Sequence, residues 1–310
     1  MNKEQFSSPL SLRQVQVTDS FWKKEMELVR TEVIPYQWAA LNDQVEGAAP
    51  SFCMHNFKAA GKLNQEKREL GDSFEEPVYT FRGFEALPED PKHLDDKFYG
   101  FVFQDSDFYK WIEAVGYSLT QHPDPQLESI ADGAIDIVCA AQQEDGYLDT
   151  YYILNGKDRI FTNLRDHHEL YCLGHLLEGA VAYYQATGKD KLLKAASRYA
   201  DYVADYFGPE DGKCKGYPGH EIAEMALVRL YEKSSVREQI VKELRTLSVK
   251  PAGVAAQVNA QRHCPLVEQI LDRRYRIFTA ACFKIQDLYI TGLGLFKSVI
   301  DGALIDTAAI

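Results

Sequence analysis

Residues 131–147 read ADGAIDIVCAAQQEDGY, and residues 200–212 read ADYVADYFGPEDG. Each begins with Ala-Asp, continues through a helix-length stretch and closes on Glu-Asp-Gly, and the two Asp-Gly pairs stand 212 − 146 = 66 residues apart. Each is also preceded by a tyrosine-bearing helix end and a short polar turn, GYSLTQHPD at 116–124 and AYYQATGKD at 182–190. An interval of that length holds two helices and their loops, and recurrence at fixed spacing marks a helical-hairpin array. The expected class is all-α, and an array that closes on itself would be an α/α toroid whose inner helices and loops wall a cleft.

Working outward, helical periodicity recurs with few strand signals. Phe108, Trp111, Ile112, Val115 and Leu119 form one apolar stripe, and Leu127, Ile130, Ala134, Ile135 and Val138 form another just after HPDP. Trp22, Met26, Val29 and Val33 suggest a third. Residues 66–99, rich in charge and carrying Pro77, Pro88 and Pro91, read as a long loop or an insertion at a rim. A boundary is expected at 234/235. Residues 235–310 hold 10 Lys/Arg against 7 Asp/Glu, whereas the whole chain holds 34 against 46. All three tryptophans and 16 of the 18 tyrosines precede that boundary. The tail is a second domain, a chimeric join or a shifted reading frame.

A formal charge of −12 argues against nucleic acid or an anionic membrane as a general partner. The start lacks the apolar region of a secretory signal, and no later run is long enough to span a bilayer, so the expected location is cytoplasmic. Cys53, Cys139, Cys172, Cys214, Cys264 and Cys282 lack CxxC spacing and are expected to be free thiols. No Gly-rich phosphate loop, nucleophile elbow or zinc-protease helix is present.

The polar constellations each have a plain alternative. In NLRDHHELYCLGH (163–175), Asp166 suits an N-cap with Glu169 three positions on, a capping-box arrangement. His168, Cys172 and His175 would then share a helix face at zinc-like spacing, although Leu173, Leu176 and Leu177 favour packing with one His turned to a cleft. In FVFQDSDFYKW (101–111), Asp105 and Asp107 are either an acidic first turn or carboxylates at a helix mouth that grip sugar hydroxyls. In AQQEDGYLDTYY (141–152), Gly146 suits a C-cap, and Tyr147, Tyr151 and Tyr152 either stack on a ring-shaped ligand or pack the loop. GYPGHEIAEMAL (216–227) delivers His220 from a Gly/Pro turn to a helix start.

Taken with VIPYQWAALND (33–43), FYGFVFQDSDFYKWIEAVGYSL (98–119) and FGPEDGKCKGYPGHEIAEMALVRLYE (207–232), these stretches resemble glycoside hydrolase family 127, the beta-L-arabinofuranosidase family, over about residues 20–233. The resemblance implies an (α/α)6-toroid catalytic domain, here apparently incomplete, so that residues 1–234 form its N-terminal part. It also implies retaining hydrolysis of terminal beta-L-arabinofuranosyl residues on an arabinose-containing oligosaccharide or glycoconjugate. In the family a glutamic acid protonates the leaving oxygen, and a cysteine thiolate held on zinc attacks the anomeric carbon. Carried over residue by residue, His168 and His220 match histidines that hydrogen-bond the arabinofuranose, and Asp105, Asp107, Glu169 and Tyr171 are further pocket candidates.

The family's acid/base glutamate, zinc-binding glutamate and cysteine cluster fall beyond the matched stretch. No family motif follows Glu232 apart from a faint echo at LYITG (288–292), and neither Cys264 nor Cys282 can be assigned as nucleophile. Zinc is implied without identifiable ligands. The alternative expectation is a truncated, catalytically inactive member that at most binds sugar or a partner. An α/α-barrel enzyme acting on unsaturated uronides through Asp105, Asp107 or Asp149 is a further reading.

Overall fold

The computed structural model describes residues 10–208 and 210–233, and the expected tail at 235–310 lies outside them. The helices are α1 (Ser20–Leu28), α2 (Ile34–Leu41), α3 (Cys53–Leu70), α4 (Asp105–Gln121), α5 (Pro125–Ala141), α6 (Thr150–Asn155), α7 (Glu169–Thr187), α8 (Lys191–Tyr206) and α9 (Ile222–Lys233). A single π turn, Val29–Val33, joins α1 to α2. The strands β1 (Glu85–Ala86) and β2 (Gly100–Phe101) pair antiparallel with Glu85 opposite Phe101. The fold is all-α, an array of helical hairpins.

Local chemistry sets several of the ends. Asp124 accepts from the backbone N–H of Gln126 and Leu127 at 3.0 Å, and Pro125 occupies the first position of α5, where its missing N–H costs nothing. The stripes on α4 and α5 bury as the periodicity requires, with Phe108, Ile112, Val115, Ala134 and Val138 essentially inaccessible. The third stripe is helical but stays at the surface: α1 buries none of its residues, and Trp22 is 61% exposed.

One unit comprises residues up to Ala200 together with those from Pro218 onward. In it, α2, α4, α7 and α9 form one row. Trp111 stacks on Trp38 at 4.6 Å and donates from Nε1 to the Ile34 carbonyl at 3.1 Å, which fixes α2 to α4. In the second row, Gly61 of α3 faces Ala140 of α5, and Asn64 donates to the carbonyls of Ala140 and Gln142. Lys191 and Gln142 then tie α5 to α8 through Asp136 and the Ala195 carbonyl.

The first row is held close by glycine. A Cβ built on Gly179 of α7 would lie 2.6 Å from the Tyr109 carbonyl oxygen of α4, and one on Gly116 would lie 2.8 Å from the Ala182 carbonyl carbon. On the other side of α7, a Cβ on Gly174 would lie 2.8 Å from the Ala223 nitrogen of α9. Contacts that advance together along both chains mean that α4, α7 and α9 run parallel. The 66-residue interval of the sequence also separates the touching Gly116 and Ala182, so the recurrence is that of neighbouring hairpins.

Residues 74–99 are irregular apart from β1, yet they are firmly attached. Tyr79 stacks on Tyr152, Phe98 packs edge-on against Tyr151, and the backbone of Val78 and Tyr79 crosses Gly156, whose φ of 117° no side chain would readily adopt. Asn56 on α3 exchanges hydrogen bonds with both backbone groups of Tyr99. The separate unit Asp201–Tyr217 contains the end of α8 and a return in which Cys214 donates to the Tyr206 carbonyl and accepts from Gly208. The described cysteines Cys53, Cys139, Cys172 and Cys214 are free thiols.

The glycine contacts generate a paired prediction. Gly179→Ala is expected to cost about 1–3 kcal/mol in overpacking, because the obstacle is backbone that cannot step aside. Gly133→Ala, on an exposed stretch of α5 with nothing near its Cβ, is expected to gain roughly 0.5–1 kcal/mol. Urea unfolding followed by circular dichroism measures both.

Candidate functional site

Parallel helices bring their N-termini to one end, and the chain's polar loops gather there. Glu169 and not the residue after Asp166 starts α7, and its N-cap is His168, in the left-handed region at φ 64°, ψ 21°. The expected capping box at Asp166 is therefore absent: Asp166 pairs with Arg165, while its backbone N–H donates to Asn163. The left-handed turn also removes His168 from the helix face. Cys172 points inward with no exposure and donates weakly to the Phe103 carbonyl at 3.8 Å, so His168, Cys172 and His175 do not form a common ligand face.

His168 instead meets His220. The loop before α9 touches the loop before α7 at Gly219, where a Cβ would lie 2.7 Å from the Arg165 carbonyl oxygen. This contact sets the two Nε2 atoms 3.2 Å apart, although the residues are 52 positions apart in sequence. The tautomers follow from the partners. His168 Nδ1 lies 2.5 Å from the Asp166 carbonyl oxygen, which can only accept, so Nδ1 carries the proton. Nε2 of His168 is left to face His220 Nε2. The pair is half-exposed at His168 and exposed at His220.

Tyr171 stands beside both. Its ring packs against His168 at 5.6 Å, His220 at 5.0 Å and His175 at 4.5 Å, and the Lys110 ammonium lies over its face at 5.0 Å. Burial, then Lys110 and His220, lower the His175 pKa to about 4, which keeps this ring neutral. Its Nδ1 has no hydrogen-bond partner among the described residues. Lys110 and Phe103, whose ring lies 5.2 Å from that of His168, were not singled out by sequence. Both belong to α4 or its approach, and only the pairing of α4 with α7 brings them here.

The carboxylate candidates divide. Asp107, at the start of α4, accepts from Gln104 at 2.6 Å; burial raises its pKa, while Lys110 and Gln104 oppose the rise. Asp105 and Glu169 are enclosed. Asp105 accepts from the Thr150 backbone at 2.7 Å and from its hydroxyl, and burial outweighs those bonds to lift its pKa to about 6. Glu169 accepts from the Tyr147 hydroxyl and the Phe161 N–H, both at 2.7 Å, and burial lifts it to about 8. Asp149 caps α6 in the same interior, and burial with Asp105 and Glu169 nearby raises its pKa well above the usual range. Tyr147, Tyr151 and Tyr152 are at most 1% exposed, so they pack the loop and do not stack on a ligand. Gly146 is not the C-cap of α5, which is Gln142; it turns the following loop at φ 97°.

Zinc, which the resemblance implies, finds no donor set here: among the described residues no group of three or more His, Cys, Asp or Glu side chains could hold a metal ion. Cys264 and Cys282 lie outside the described residues. No helix among the described residues is long and apolar enough to cross a membrane.

A family model described as the beta-L-arabinofuranosidase GH127 catalytic domain matches residues 14–269, and the chain belongs to that family. It is 39% identical over 253 residues to the non-reducing end beta-L-arabinofuranosidase of Bifidobacterium longum subsp. longum, covering 79% of this chain and 36% of that protein. Among solved structures, it resembles Ara127N-Se, a GH127 beta-L-arabinofuranosidase from Geobacillus stearothermophilus T6, at 43% identity and a TM-score of 0.59, over 71% of this chain and 30% of that one. It resembles the GH127 beta-arabinofuranosidase BT3674 at 35% identity and a TM-score of 0.58, over 73% and 31%. The chain thus spans about a third of the length of these relatives.

The buried carboxyls set a pH dependence. For an acid whose pKa is raised on folding, the unfolded chain holds fewer protons between the two values, so stability falls as pH rises through that window. For Glu169 the window runs from 4.5 to about 8, and for Asp105 from 3.8 to about 6. The urea midpoint is expected to fall between pH 6 and pH 8 in the wild type. Glu169→Gln, whose amide can donate to a turned Tyr147 hydroxyl, is expected to flatten that fall.

Proposed function

We propose that this chain is a beta-L-arabinofuranosidase-type glycoside hydrolase in which His168 and His220 grip a terminal beta-L-arabinofuranosyl residue. The observation that carries the reading is the meeting of the two rings, whose Nε2 atoms lie 3.2 Å apart at a contact open to solvent. A sugar hydroxyl both donates and accepts, so a single hydroxyl, or two on neighbouring carbons, satisfies both nitrogens on entry. Tyr171 and Phe103 supply ring surface on either side of His168 for the apolar face of a furanose. Family membership and the relatives' activity support the sugar. The substrate would be an arabinose-containing oligosaccharide or glycoconjugate.

The described residues furnish a grip and not a reacting pair. Asp105 and Glu169 are engaged in the interior, and no metal donor set is present among these residues. This favours a second reading, in which the chain binds arabinofuranose without turning it over. Asp107 and Tyr171 stay in the proposed pocket on either side of Lys110.

Hydrolysis of a chromogenic beta-L-arabinofuranoside, with and without a zinc chelator, separates the two. The hydrolase reading expects chelator-sensitive release of arabinose. Absence of turnover from a folded, helical chain that still binds methyl beta-L-arabinofuranoside establishes the binding reading. Under either, His168→Ala and His220→Ala are each expected to weaken binding about 5–100-fold by calorimetry, because a removed partner leaves a sugar hydroxyl half-satisfied. Binding unchanged in both variants would sink the grip.

A further inference from the structure

Beyond the histidine pair, a line of aromatic rings continues outward from His168. Phe103 lies 5.2 Å from the His168 ring, and Phe101 stacks on Phe103 at 5.2 Å with the planes only 7° apart. Phe101 is 41% exposed on ordered backbone. That order is explicit: Phe101 belongs to β2, opposite Glu85, and its N–H donates to Gln104 Oε1 at 3.1 Å. The next residue's N–H donates to the Phe84 carbonyl, and Phe84 is itself 49% exposed, with its ring 5.8 Å edge-on to His167. Gly100, at φ 87°, lets the strand turn so tightly that a Cβ there would strike the Gln104 side chain.

An apolar patch held rigid beside a polar grip is the arrangement of a ligand groove. The patch is built of two stacked rings, Phe101 on Phe103, and the second of them lies against His168. Sugar rings present C–H faces that pack on such surfaces while their hydroxyls remain in water. We infer that Phe101 and Phe103 form a second subsite that takes the sugar ring next to the terminal arabinofuranose. The inference rests on the furanose reading of His168 and His220, and it adds to that reading a preference for two-ring over one-ring ligands.

Calorimetry on the full chain compares methyl beta-L-arabinofuranoside with a beta-L-arabinofuranosyl disaccharide. The wild type is expected to bind the disaccharide about 3–10-fold more tightly, the increment of one aromatic contact. Phe101→Ala is expected to lower disaccharide binding to the level of the monosaccharide and to leave the latter unchanged, while Phe101→Trp preserves the difference. Equal binding of both ligands by the wild type overturns the subsite but leaves the furanose grip standing, as does a difference that survives Phe101→Ala. Failure of both ligands to bind removes the furanose reading, and the subsite falls with it. Hydroxyl-radical footprinting supplies an independent arm: Phe101 is expected to label freely without sugar and to be protected by the disaccharide. Protection in the absence of sugar would make the rings an internal packing face and overturn the proposal.

Discussion

Gly174 and Gly179 strip α7 of side chains at the points where it meets α9 and α4, and Gly116 does the same for α4. Backbone against backbone leaves little freedom to slide, so the register of the three helices is set by where those glycines stand. Because the helices run parallel in that register, their N-termini lie at one end, and the loops that feed them must lie there too. Arg229 closes the row from the other side. It pairs with the buried Glu178 of α7 and donates to the Tyr117 hydroxyl of α4 at 2.9 Å, so one guanidinium joins three helices. A half-buried charge of this kind is held by its partners, and loss of any one would leave the others unsatisfied.

The loops are fastened from below by groups that at first sight look catalytic. Asp105 and Glu169 occupy the same place, the first residue of a row helix, and each holds the segment 147–161 by a backbone N–H and a hydroxyl. Desolvation makes these carboxyls weak acids, and a group buried without access to solvent or ligand is a poor proton carrier however suitable its pKa. Both are tied to that segment in this structure. They hold the floor beneath His168, whose left-handed backbone costs on the order of 1–3 kcal/mol and persists because Asp166 and the start of α7 over-determine it.

How much of this was legible in the sequence depends on how local each feature is. The 66-residue recurrence and the stripes at 108–119 and 127–138 gave the hairpin array directly, since a helix that hides one face announces it at period 3.6. His168 and His220 each stood out in the sequence, but their meeting was not legible, because nothing in a single chain says that a loop at 163–168 will touch another at 219. Local capping logic misled at Asp166. A Ser/Asp-x-x-Glu pattern describes a cap satisfied by its own side chains, whereas here Glu169 is drawn inward by Tyr147 and Phe161, contacts that propensity cannot register. The same displacement explains the metal-like spacing of His168, Cys172 and His175, which exists only if all three share one helix. Lys110 and Phe103 lacked any signal, for they matter through α7 and not through their own helix.

The charge around Tyr171 also follows from packing. The chain carries a formal charge of −12, yet the residues around Tyr171 are three imidazoles and one ammonium. An anionic ligand would be drawn to a cluster in which those rings were charged, but burial and Lys110 together hold His175 neutral, and the Asp166 carbonyl commits the His168 proton to the side away from the opening. Beside the Tyr171 ring the two Nε2 atoms of His168 and His220 meet, with Lys110 over the face of Tyr171. The one proton position fixed in the pair is thus set by a single backbone carbonyl, which the left-handed turn of His168 places within reach of its own ring.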